Sequence, residues 1–146
     1  FLLFLNLFVL NHSINPKIIE IRKAFENHKD DAKKCKEYIK LLENETTEEL
    51  IGYQAMFYFM LAKHAWLPPS KLSYFSKGRK ILEDVIQKKP DTVELRFLRF
   101  AIQTNLPEFL GYYQNIATDK EFINQALAQN KIEDEDLVQR IRKLVK

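Results

Sequence analysis

The sequence predicts an all-α protein of about seven helices. Three observations predict this class. Apolar residues recur at helical spacing along most of the chain. Only three glycines and five prolines occur, which leaves room for long helices. No segment alternates apolar and polar residues as a strand would. Short connections predict antiparallel hairpins, which stack either as a short solenoid or as an irregular helical bundle.

The first ten residues, FLLFLNLFVL, are almost wholly apolar, and residues 1–16 contain no charged side chain. Ten residues span roughly 15 Å as a helix, about half of a bilayer core. That length is typical of the apolar region of a secretory signal. We therefore expect residues 1–15 to be a signal-peptide remnant and residues 16–146 to be a single all-helical domain. A buried helix of a cytoplasmic protein is the alternative.

The first two helices have clear start signals. Asn15 followed by Pro16 is a cap with proline at the first helical position. Asp30 or Asp31 opens the second helix. Its apolar face carries Cys35 and continues with Tyr38, Ile39 and Leu42.

The third helix is predicted over residues 50–66, LIGYQAMFYFMLAKHAW, after a capping box formed by Thr46 and Glu49. Apolar residues surround it almost completely, so we expect it to be the most buried helix. Gly52 costs about 1 kcal/mol in a helix interior, which predicts a close approach by a neighbouring helix. Pro68 and Pro69 end the segment.

The fourth helix begins after Ser70, its predicted cap, and ends before Pro90. A second capping box, Asp91 with Glu94, opens the fifth helix. That helix is apolar on most sides. Its polar residues fall on one narrow seam, namely Thr92, Arg96, Arg99 and Gln103.

The last third of the chain predicts two more helices. Pro107 starts a segment rich in aromatic residues, and Thr118 with Glu121 forms a third capping box. The final helix opens on the acidic run at 133–136 and closes on basic residues. This order matches the helix dipole.

The central pair of helices resembles a tetratricopeptide repeat. Gly78, Leu82, Val85 and Pro90 match the spacing of the second helix of that family, and the region around Leu50, Gly52, Tyr53 and Ala55 is similar to its first helix. The resemblance covers residues 46–105. The repeat of the family is about 34 residues long, and this pair is longer because of the segment AWLPPSKLS. The resemblance implies a module that binds peptides or assembles complexes without catalysis.

Composition and motifs argue against several function classes. With 23 basic and 20 acidic residues the net charge is only +3, so no nucleic-acid partner is expected. Lysine clusters occur at 33–36, 77–80 and 140–146, but acidic residues are interspersed with them. Cys35 is the only cysteine. His12, His28 and His64 show no metal-ligand spacing. We expect no metal, no cofactor and no catalytic set of acid, base and nucleophile.

The candidate binding residues are the seam of Arg96, Arg99 and Gln103 together with three aromatic residues, Tyr112, Tyr113 and Trp66. Two guanidinium groups in a groove would bind a carboxylate. Alternatively, the arginines pair with acidic residues of adjacent helices.

The sequence thus predicts a non-enzymatic module for a protein or peptide partner. If the apolar start is a signal, we expect the module to be exported to the periplasm or secreted. Peripheral association with the cell envelope is compatible with export. No transmembrane helix is expected in the mature chain. The alternative is a small-ligand-binding or enzymatic bundle that uses His64 and the Arg96/Arg99 seam.

Overall fold

The computed structural model describes residues 14–145, and these confirm the all-α prediction: they form helices and contain no strand. Most of the expected signal segment, including His12, lies outside the described residues; Ile14 and Asn15 lead into the first helix. The helices are α1 (Pro16–His28), α2 (Ala32–Leu41), α3 (Glu48–His64), α4 (Pro68–Lys88), α5 (Val93–Asn105), α6 (Ile116–Ala128) and α7 (Glu135–Leu144), with a 3-10 turn (Glu108–Leu110) between α5 and α6.

The starts of α1 and α2 agree with the sequence. The side chain of Asn15 accepts a hydrogen bond of 3.0 Å from the backbone N–H of Lys17. The side chain of Asp31 accepts one of 3.0 Å from the N–H of Lys34. Each bond satisfies a donor that the helix itself leaves free. Cys35 lies fully buried on the inner face of α2.

Helix α3 is the central element and packs against α1, α2, α4 and α5. Two glycines bring its neighbours close. A Cβ on Gly52 would lie 2.7 Å from Leu95 Cδ2 of α5, and a Cβ on Gly78 of α4 would lie 3.0 Å from the carbonyl oxygen of Ala55. The close approach predicted at Gly52 is therefore confirmed.

The connection between α3 and α4 is shorter than predicted. Helix α4 begins at Pro68, not after Ser70, so only residues 65–67 join the two helices. The two prolines occupy the first helical positions, where a missing N–H costs no hydrogen bond. The extra length relative to a tetratricopeptide hairpin therefore lies in the helices themselves, which have 17 and 21 residues.

The predicted capping boxes at Thr46 and Asp91 are wrong. The N-cap residues are Thr47 for α3 and Thr92 for α5, and neither makes a side-chain capping bond. At α5 the physical reason is visible. Glu94, which would have bonded back to the cap, instead pairs with an arginine of α1 in the interior.

The third predicted box is also wrong, because Thr118 lies inside α6. Gln103 of α5 fixes the start of this helix instead. Its Oε1 accepts a hydrogen bond of 3.0 Å from the N–H of Asn115, and its Nε2 donates one of 3.2 Å to Asn115 Oδ1. A contact between helices thus replaces the local cap.

Helix α7 lies beside α1 and is held there by ion pairs. Arg22 of α1 is only 1% exposed. It donates two hydrogen bonds to Glu94 of α5, at 2.7 and 2.6 Å, and lies 2.7 Å from Asp134 and 2.9 Å from Asp136 at the start of α7. One turn further along, Arg140 Nη1 lies 2.5 Å from Glu26 of α1. These charges join the first, fifth and seventh helices.

Among residues 14–145, none of the helices combines the length and the apolar character that crossing a bilayer requires.

Candidate functional site

The arginine seam of α5 faces α6 and α4. Arg99 donates two hydrogen bonds to Asp119 of α6, from Nε at 2.7 Å and from Nη2 at 2.8 Å. Its Nη1 also donates to Glu83 of α4 at 2.9 Å. Arg96 Nη1 reaches the same Asp119 at 2.7 Å. Asp119 is fully buried and Arg99 is 4% exposed, so an external carboxylate would have to displace a buried internal one.

The three aromatic candidates occupy different environments. Tyr112 is buried and joins the seam cluster, because its hydroxyl donates a 2.5 Å hydrogen bond to Glu83. Burial and this bond hold the pKa of Tyr112 well above its usual range. Tyr113 is exposed, and Trp66, in the α3–α4 connection, is 94% exposed. The structure therefore brings Tyr112 together with the seam and leaves Trp66 and Tyr113 on the surface.

His64 lies at the end of α3, where its Nε2 is 3.0 Å from the carbonyl oxygen of Lys29. Among the described residues, no three His, Cys, Asp or Glu side chains are grouped as metal ligands would be. Every buried side-chain nitrogen and oxygen of residues 14–145 has a hydrogen-bond partner. The polar clusters of this part of the chain are thus internally satisfied.

The described residues also form a large apolar groove, with a volume of about 1030 Å³. It is lined by the C-terminal half of α1, by α3, the first two turns of α4, the C-terminal half of α5, residues 105–110 and the end of α7. Phe59 and Phe75 belong to its inner surface. A mostly apolar concavity of this size is the usual form of a binding site.

Both methionines of the protein, Met56 and Met60, line this groove one turn apart on α3. A methionine side chain is unbranched and adapts its shape to different contacts, which is why methionine is frequent on surfaces that accept helices. Three large apolar side chains that also line the groove are exposed to solvent: Leu72 of α4, Phe109 of the 3-10 turn and Leu144 of α7. These residues extend the apolar lining of the groove onto the protein surface.

The charged residues that line the groove are six cations and one acid. Two of the cations, Arg22 and Arg140, are already paired with carboxylates, and the acid, Glu26, is the partner of Arg140. The remaining four are lysines: Lys29, Lys63, Lys71 and Lys143. The groove therefore combines an apolar interior with a positively charged rim.

Sequence reasoning missed this groove because its residues have the pattern of an ordinary core. None of the predicted candidates, Arg96, Arg99, Gln103, Tyr112, Tyr113 and Trp66, lines it, and neither does His64. One signal was available. Leu72 interrupts the polar face of α4, and Phe109 follows an acidic residue in the short segment between Pro107 and Gly111. Apolar residues at such positions have no neighbours to pack against unless a partner supplies them.

Comparison of the chain with protein-family models, with curated proteins and with solved structures finds no match.

Proposed function

We propose that the protein is a non-enzymatic binding module whose groove accepts the apolar face of a helix from another protein. The observation that carries the proposal is the combination of Met56 and Met60 inside the groove with exposed Leu72, Phe109 and Leu144 at its margin. A helix in a groove is a common mode of peptide recognition, in which side chains at i, i+3, i+4 and i+7 insert as anchors. The resemblance of residues 46–105 to a tetratricopeptide hairpin supports the same class of function.

The size of the groove suits this occupant. Two turns of helix, treated as a cylinder about 10 Å wide and about 11 Å long, fill roughly 850 Å³. The groove has a volume of about 1030 Å³. Two helical turns are therefore comparable in size to the groove.

A peptide of known composition tests the proposal. A labelled peptide of about 15 residues, with leucines at i, i+4, i+7 and i+11 and otherwise alanine and glutamine, presents the required apolar face. We expect it to bind the full chain in fluorescence anisotropy. Phe109→Glu and Leu72→Glu should each weaken binding by about tenfold or more, because each places a charge where an apolar anchor has to fit.

The matched control is Leu41→Glu. Leu41 is exposed to a similar degree as Leu72, at 58% against 61%, but it lies on α2 away from the groove. All three variants should melt close to the wild type, since exposed positions contribute little to stability. The proposal is refuted if the peptide does not bind, or if Leu41→Glu weakens binding as much as the groove variants do.

Export is a separate part of the proposal, supported by the apolar run at residues 1–10. N-terminal sequencing of protein recovered from outside the cytoplasm should give a first residue near Ile14 to Pro16. An intact apolar start on a soluble cytosolic product would contradict export without bearing on the groove.

A further inference from the structure

Most of the lysines on the rim of the groove have no carboxylate partner among the described residues. Among residues 14–145, Lys29, Lys71 and Lys143 pair with no carboxylate, and Lys63 has only an exposed contact of 3.3 Å with Asp30. The ends of α1, α3 and α4 bring three of these lysines together. The carbonyl oxygen of Lys29 contacts His64, next to Lys63, and Lys71 Nζ lies 3.4 Å from the carbonyl oxygen of Lys63.

Helix-end electrostatics accounts for part of this arrangement. Lys29, Lys63 and Lys143 lie at or near the C-terminal ends of their helices, where a cation is favourable. Lys71 lies in the first turn of α4, where the dipole of that helix disfavours a cation, but its Nζ reaches the carbonyl oxygen of Lys63 at the C-terminal end of α3. Helix ends therefore account for where the four lysines lie, but they supply no carboxylate to Lys29, Lys71 or Lys143, and this unbalanced charge around the groove points to an anionic group that comes from outside.

We infer that the partner helix carries Asp or Glu residues beside its apolar stripe and that these pair with the rim lysines. The inference rests on the proposed function of the groove and names the chemistry of its occupant. Complementary charge around an apolar contact sets partner choice and association rate more than total affinity. A neutral or basic helix with the same leucines would enter the groove but leave the rim unpaired.

Other occupants fit the groove less well. A second copy docked through the same face would bring two lysine rims together, which is repulsive. A flat anionic bilayer would meet the lysines but could not reach Met56 and Phe59, which are buried at the bottom of the groove. A helix reaches both the bottom and the rim.

Three labelled peptides of about 15 residues test the inference. They share one leucine stripe and differ only in its flanking residues, which are glutamate, glutamine or lysine. At about 0.01 M salt we expect the glutamate peptide to bind the full chain about fivefold more tightly than the glutamine peptide, since each exposed pair contributes roughly 1.5- to 5-fold and two pairs suffice. The lysine peptide should bind most weakly. At about 1 M salt the three affinities should converge.

The double variant Lys71→Gln, Lys143→Gln identifies the groups responsible. It should remove most of the preference for glutamate while the glutamine peptide binds as before. The matched control is Lys36→Gln, Lys88→Gln, which removes two exposed lysines that do not line the groove. This control should keep the full preference.

The outcomes separate the two proposals. Equal binding of all three peptides, or a preference for glutamate that survives replacement of all four rim lysines by glutamine, overturns the acidic partner and leaves the groove function standing. Failure of every peptide to bind overturns both. Phosphatidylglycerol vesicles form a further arm: if they bind through Lys71 and Lys143 and displace the glutamate peptide, the rim recognises a lipid surface and the inference is wrong.

Discussion

Replacing Asp119 by alanine tests whether the seam of α5 is a structural element. The buried Asp119 carboxylate accepts two hydrogen bonds from Arg99 and one from Arg96, at 2.7, 2.8 and 2.7 Å. Asp119→Ala leaves Arg99 buried with Glu83 as its remaining carboxylate. A buried charge without its partner is strongly destabilising because water cannot reach it.

The expected loss of unfolding free energy is about 3 to 5 kcal/mol, the usual cost of breaking a buried ion pair. That is a large share of the roughly 5 to 15 kcal/mol that stabilises a typical domain. For a chain of this size the melting temperature should fall by about 10 to 20 °C. Urea unfolding followed by far-UV circular dichroism measures the change directly.

The control is Asp84→Ala, which removes an exposed ion pair of 2.7 Å with Lys80 on α4. It should change stability by less than about 0.5 kcal/mol. A second variant, Arg99→Met combined with Asp119→Ala, also removes the buried guanidinium that has lost its partner. It should be no less stable than Asp119→Ala alone. The reasoning is refuted if Asp119→Ala lies within about 1 kcal/mol of the wild type, or if the double variant is clearly less stable than the single one.

Three further predictions concern the core. Gly78→Ala should lower the free energy of unfolding by about 1 to 2 kcal/mol, measured in urea. The new Cβ would lie 3.0 Å from the Ala55 carbonyl oxygen and 3.2 Å from the Phe59 ring, and this crowding outweighs the gain in helix propensity. An equal or higher stability would contradict the packing. Burial raises the pKa of the Cys35 thiol to about 11, so at pH 8 native protein should react with Ellman's reagent at least about 100-fold more slowly than urea-unfolded protein; comparable rates would show that α2 opens readily. Stability should also fall as the pH rises from about 9 to about 11, because the unfolded chain ionises Cys35, and at higher pH Tyr112, before the folded chain does; a flat alkaline profile would contradict the burial of both groups.

Helix boundaries could be predicted from the sequence wherever one local rule acts alone. Pro16 begins α1 and Asp31 caps α2, because nothing from elsewhere in the fold competes for those backbone groups. The predictions that failed, at Asp91 and Thr118, lie where a distant side chain takes over the local role. Glu94 bonds Arg22, which is 72 residues away in sequence, and Gln103 fixes the start of α6. No local pattern contains that information.

The burial of Arg22 and Asp119 could have been predicted from the sequence. Arg22 lies four residues after Ile18 and three before Phe25, on the apolar face of α1. Asp119 similarly lies four residues before Ile123 on the inner face of α6. A charged residue at such a position predicts a buried ion pair, although the sequence cannot name its partner. The positions of Leu72 and Phe109 indicated an uncovered apolar surface, but the groove itself could not be predicted, because its shape depends on how the ends of several helices meet.

The ion pairs between α1 and α7 limit how the domain can be lengthened by added hairpins. Open-ended arrays lengthen by duplicating a unit, since a new hairpin only has to cover the last one. Here a hairpin inserted beside α1 would separate Arg22 from Asp134 and Asp136 and would strand Arg140 from Glu26. We therefore expect gene duplication to produce two complete domains in tandem. We do not expect it to produce one domain lengthened by extra hairpins.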